Sequence, residues 1–64
     1  MTWVGAHVRI YAAVNPENYG EPGVVTDTYW AEDPEDDTRT APWVRVRMDN
    51  GSEETCMVRE LRRI

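Results

Sequence analysis

The chain has no lysine, phenylalanine or glutamine, and only one cysteine and one histidine among its 64 residues. With Cys56 alone, no intramolecular disulfide can form, and one thiol with one imidazole cannot build a zinc staple. No stretch approaches the roughly 20 apolar residues of a membrane-spanning helix. The first residues lack the basic segment and apolar run of a secretory signal. A lone thiol without a disulfide framework fits a reducing compartment, so the chain reads as soluble and cytoplasmic. No Ser/His/Asp or Cys/His spacing and no phosphate-binding loop is present. These absences argue against an enzyme and leave no cofactor motif.

A chain this short makes one domain, residues 1–64, and buries only about 60% of the surface its unfolded form exposes. Its core must come from Val, Ile, Leu, Met and Trp side chains, or from a partner, including a second copy, that shares the burial.

The charge is unevenly laid out. Residues 1–16 hold one Arg and no acid. Residues 17–37 hold eight acids and no base: Glu17, Glu21, Asp27, Glu32, Asp33, Glu35, Asp36 and Asp37. Residues 38–64 hold six Arg against four acids, for a net charge of -5.

The segment from Trp3 to Val14 places apolar or small residues at even positions, which predicts a half-buried strand with Val4, Val8, Ile10 and Val14 inward. Residues 15–23 carry two Pro, two Gly and two Asn and predict a loop. Gly23 to Trp30 is rich in β-branched and aromatic residues and predicts a second strand. Ala31 to Pro42 reads as a polar, acidic loop. From Trp43 to Met48 the alternation is strict: Val44, Val46 and Met48 face one way, Trp43, Arg45 and Arg47 the other.

Asn50-Gly51 is a hairpin signal. A two-residue turn there pairs Val46 with Thr55, Val44 with Met57 and Arg47 with Glu54. A three-residue turn with a bulge instead brings Cys56 and Val58 inward; the two-residue turn is the preferred reading. The end predicts a helical turn at Arg59–Leu61 and a short last strand, with Val58, Leu61 and Ile64 reaching the core. The sum is an all-β domain: a small five-stranded barrel or a strongly bent sheet, the barrel being preferred because closure removes exposed edges.

The run from Gly5 to Ile10, then Gly23-Val24-Val25, Val44 to Gly51 and Val58 to Ile64 resembles the SH3-like small-barrel superfamily. That superfamily includes KOW and Tudor-type modules, the small stromal photosystem I subunit and the type II dihydrofolate reductases. The reductases end in a motif similar to Leu61-Arg62-Arg63-Ile64. Their pore run, Val-Gln-Ile-Tyr, falls here on Glu53-Glu54-Thr55-Cys56. The Gln and Tyr are missing and two acids would repel an anionic cofactor, so the reductase activity is rejected. The photosystem subunit is similar in length and strand order alone.

Asp33, Glu35 and Asp37 sit at alternate positions, as metal ligands do. A calcium loop beginning at Asp33 needs Gly at its sixth position and Glu at its twelfth; those are Thr38 and Val44. The acid run therefore reads as a solvated loop, or as a patch that docks a basic partner or imitates nucleic-acid phosphates. Arg45, Arg47, Arg59, Arg62 and Arg63 beside Trp43 suggest a nucleic-acid face. A pI near 4.6 opposes it, and an ion-paired surface is preferred. Six large aromatics remain: Trp3, Trp30, Trp43, Tyr11, Tyr19 and Tyr29. Some should complete the core. Exposed Trp, Tyr and Arg anchor protein interfaces, so the candidate partner-binding set is Trp43, Arg45 and Arg47 with Tyr29 and Trp30, joined by Asp33, Glu35, Asp36 and Asp37. The partner is expected to be another protein.

Overall fold

A computed structural model describes residues 3–64. Five antiparallel strands form one sheet: β1 (His7–Ile10), β2 (Pro22–Asp33), β3 (Asp36–Met48), β4 (Glu53–Met57) and β5 (Leu61–Arg63). Their spatial order is β4-β3-β2-β1-β5. A 3₁₀ turn at Pro16–Asn18 lies between β1 and β2, and a second at Val58–Glu60 precedes β5. The all-β class, the five strands and the helical turn before the last strand therefore hold. The closure does not: β4 and β5 are the two edges, and no hydrogen-bonded ladder joins them among the described residues. Both edges still feed one core. Val8, Ile10, Val25, Val44, Val46 and Met48 pack with Cys56 of β4 and Leu61 of β5.

Several local expectations are corrected. The first strand covers only His7–Ile10; Val8 and Ile10 are buried, whereas Val4 is 53% and Val14 93% exposed. Ala13 leads into the Asn15-Pro16 turn, where proline removes a ladder donor and the alternation loses its sheet. Ile64 is exposed. The predicted acidic loop is instead mostly strand: β2 runs on to Asp33 and β3 starts at Asp36. Register continues through Tyr29↔Trp43, Trp30↔Pro42 and Glu32↔Thr40. No aromatic ring is buried in the core; Trp3 packs against its border.

The β3–β4 hairpin takes the three-residue turn, not the two-residue one. Val44 faces Cys56, Val46 faces Glu54 and Arg47 faces Glu53. The Gly51 amide donates to the Met48 carbonyl, and Gly51 alone of the turn residues has positive φ, +92°. That is a type I turn closed by a bulge glycine. Asn50 settles the choice: its Oδ1 accepts from the Ser52 amide and hydroxyl, and its Nδ2 donates to Asn18 Oδ1 at 2.8 Å. The slip of one residue turns Cys56 and Glu54 inward and leaves Glu53 opposite Arg47.

Glu54 is thus a buried acid at the border of the core, 5% exposed. Its carboxylate accepts from Asn18 Nδ2 at 2.7 Å, the Val14 amide at 2.9 Å and the Asn15 amide at 3.2 Å. Burial alone pushes its pKa up, but these donors outweigh burial and hold it below the usual carboxylate range. The β1–β2 connection is fastened to the hairpin through this group and further held by the edge-to-face pair Tyr11–Tyr19, 5.8 Å between ring centres.

Gly23 is where β2 passes between β1 and β3. A Cβ there meets Val46 Cγ1 at 2.7 Å and the Arg47 carbonyl oxygen at 2.8 Å. Gly23→Ala is expected to lower unfolding stability by about 1–3 kcal/mol, read by urea denaturation. Glu54→Gln places an amide against donors and should cost about 1–3 kcal/mol. Because the Glu54 pKa is depressed in the fold, the wild type should lose that part of its stability as pH drops below about 4.5, and the Gln variant should lose less over the same range.

Candidate functional site

The geometry of the candidate site follows from one irregularity. Between Val25 and Asp27 the β2–β3 register shifts, leaving Thr26 as a bulge. Its hydroxyl donates to the Arg45 carbonyl at 3.3 Å. A bulge reverses the in-out alternation beyond it. Gly23 and Val25 face the core before the bulge; Thr28 and Trp30 take that face after it, opposite Val44 and Pro42. Tyr29 falls on the outer face, opposite Trp43. This decides which of the two rings points where. Trp30 lies on the core side of the sheet yet beyond the core's end, and is 71% exposed.

The outer face carries the predicted Arg/Trp set in three cross-strand rows. Tyr29, Trp43 and Met57 form the first, Asp27, Arg45 and Thr55 the second, and Val24, Arg47 and Glu53 the third. Tyr29 and Trp43 are half-buried, while Arg45 and Arg47 are exposed. The Trp43 indole N–H donates to the Glu32 carbonyl at 3.2 Å, which fixes the ring against the ribbon. Arg47 approaches Glu53 at 3.9 Å. Arg45 has no carboxylate within 4.0 Å among the described residues; Asp27 opposite it accepts from the Thr28 amide at 2.9 Å.

The structure therefore brings Tyr29, Trp43, Arg45 and Arg47 together and sends Trp30 to the opposite face. It also divides the arginines. Arg59 pairs with Asp33, Arg62 donates to the carbonyls of Leu61 and Arg59, and Arg63 lies over the Trp3 ring, 4.6 Å from its centre. No continuous five-Arg surface exists.

The acid run forms the tip of the β2–β3 ribbon. Asp33 accepts both arms of the Arg59 guanidinium, at 2.9 and 3.0 Å, and also the Glu35 amide at 2.9 Å. Glu35 lies 3.7 Å from Arg59, and Asp36 3.6 Å from Arg39. Asp36 also accepts from the Thr38 amide and hydroxyl. Glu32 and Asp37 are exposed. Among the described residues no group of three His, Cys, Asp or Glu is arranged to hold a metal ion. Burial, with Glu60 and Glu54 adding to it, pushes the Cys56 thiol up to about 12, so this sulfur is a packed core atom and a poor nucleophile.

Sequence reasoning missed a groove on the core side of the ribbon. Trp3, Thr28, Tyr29, Trp30, Pro42 and Val58 line it, and its volume is about 280 Å³. Pro42 opposite Trp30 is the relevant pair, and it becomes visible only once the Thr26 bulge is known. Comparison with protein-family models, curated proteins and solved structures finds no match.

The Asp33–Arg59 bridge is bidentate and joins the ribbon to the second 3₁₀ turn. The Arg59 hydrogen bonds, with the Glu35 amide, hold the Asp33 pKa at about 2. A group depressed in the fold stabilises it above the unfolded pKa and loses that contribution as pH falls through the folded value. Carboxyl-carbon NMR titration should place the Asp33 midpoint near 2, with loss of the bridge complete below it. Arg59→Gln should return that midpoint toward 3.8.

Proposed function

We infer that the chain is a non-enzymatic protein-interaction module of the SH3-like small-barrel kind. The strand order, the core shared by both sheet edges and the 3₁₀ turn before the last strand support that family reading. One observation carries the binding role: two aromatic rings and two exposed arginines stand side by side on the outer face of β2 and β3. Aromatic and Arg side chains supply large contact area and strong directional bonds at protein interfaces. Thr55 adds an exposed polar rim, while Met57, 5% exposed, ends the row without offering surface. The exposed acids Glu32 and Asp37 at the ribbon tip add a field that favours a partner with a basic patch beside its contact surface.

The other two readings lose support from the geometry. Phosphate mimicry needs a run of free acids, and Asp33, Glu35 and Asp36 each face an arginine. A nucleic-acid face needs the arginines together, and they are divided among three places.

The test is affinity capture from the native host with four baits. Arg45→Ala/Arg47→Ala and Trp43→Ala should each weaken capture of the wild-type partner at least tenfold. The double Arg variant changes only exposed side chains, so it separates binding from folding. Neutralising Asp33, Glu35, Asp36 and Asp37 together should reduce capture less. If the acid variant alone abolishes it, mimicry replaces this reading. Binding of a nucleic-acid probe that falls steeply with salt would replace it with the third.

A further inference from the structure

The groove beneath Trp30 shares Tyr29 with the outer face and otherwise draws on Trp3, Thr28, Trp30, Pro42 and Val58. We propose that it is the contact between two copies of this chain, which associate through a two-fold axis at the ribbon. Four observations lead there.

The groove is apolar and small. At about 280 Å³ it sits at the small end of ligand-sized sites, roughly 300–1,000 Å³. It has room for a large side chain. One of its own lining side chains stands largely uncovered: Trp30, 71% exposed.

Second, charges of opposite sign lie next to lining residues, outside the groove's own uncharged lining. Glu32 lies two residues beyond Trp30 on the same face of β2, in the stretch where register is unbroken. Arg63 lies over Trp3, another lining residue. An apolar strip with an acid on one flank and a cation on the other is self-complementary under a two-fold rotation, which sets each acid against the other copy's cation. The same strip offers a uniformly charged partner one attraction and one repulsion.

Third, the ribbon is preformed. The Asp33–Arg59 bridge pins its tip to the second 3₁₀ turn, and Val58 of that turn lines the groove. A site held open in advance loses little freedom on association.

Fourth, the groove need not supply the contact area alone. A stable interface takes about 800 Å² from each partner, close to a fifth of the chain's 4290 Å² surface. The groove alone is too small, but the ribbon continues it. β1 pairs β2 only at residues 22–24, and β4 pairs β3 only at residues 43–47. Residues 27–33 and 36–42 thus keep ladder edges unpaired among the described residues. In the two-fold arrangement Trp30 of each copy enters the other's groove between Trp3 and Pro42, and the ribbons lie along one another.

Sedimentation equilibrium of the full chain tests this. The apparent mass should rise from 7.4 kDa toward twice that value across micromolar to millimolar concentration, and iodide quenching of the tryptophans should fall in parallel. Trp30→Ala should weaken association on the order of thirtyfold, with circular dichroism confirming the fold. Arg63→Glu and Glu32→Arg should each weaken it, and combining them in one chain should restore it. A mass of 7.4 kDa at every concentration overturns the proposal. So does failure of the charge-swapped double variant to recover association.

Discussion

The buried Glu54 carboxylate holds together parts of the chain that the sheet does not join. The connection from Tyr11 to Gly20 contributes no strand, and β4 is an edge. Three donors from Val14, Asn15 and Asn18 converge on that acid, and Asn18 reaches on to Ser52 and Asn50. An unpartnered acid at this position would be strongly destabilising. The connection and the hairpin therefore order together. In a domain with so little apolar surface to bury, this polar junction does work that a larger protein leaves to its core.

The junction also explains where sequence reading reached and where it stopped. The alternation at Val44, Val46 and Met48 was legible, since both neighbours of β3 are ordinary strands and the period is unbroken. So was the short helical turn before β5. The hairpin register was not. Asn50-Gly51 suits either turn locally, and the choice falls to Asn18, 32 residues away in the chain. Glu54 looked like a surface partner for Arg47 because nothing nearby in sequence marks its donors.

The bulge at Thr26 is the second limit. Thr26 is an ordinary strand residue, and no glycine or proline announces the irregularity. Yet it assigns Tyr29 and Trp30 to opposite faces, and with them the outer Arg/Trp row and the groove. The acid run misled for a related reason. Its composition suggests a loop, while the ladder from Asp27 to Thr40 continues through it because the charged side chains project into solvent on either side of a two-stranded ribbon. The shared face of Trp43, Arg45 and Arg47 on β3 was legible in the alternation; the division of Tyr29 and Trp30 between two faces required the fold.

The absence of any aromatic ring from the buried core has an optical consequence. Trp30 and Trp43 stand on the ribbon, and Trp3 and Trp30 both line the groove. Tryptophan emission from this protein therefore reports the ribbon and its surroundings. The packed Val, Ile, Met and Leu interior is silent at those wavelengths. A change in fluorescence that precedes the loss of far-ultraviolet dichroism would mark the ribbon peeling away while the sheet beneath it remained folded.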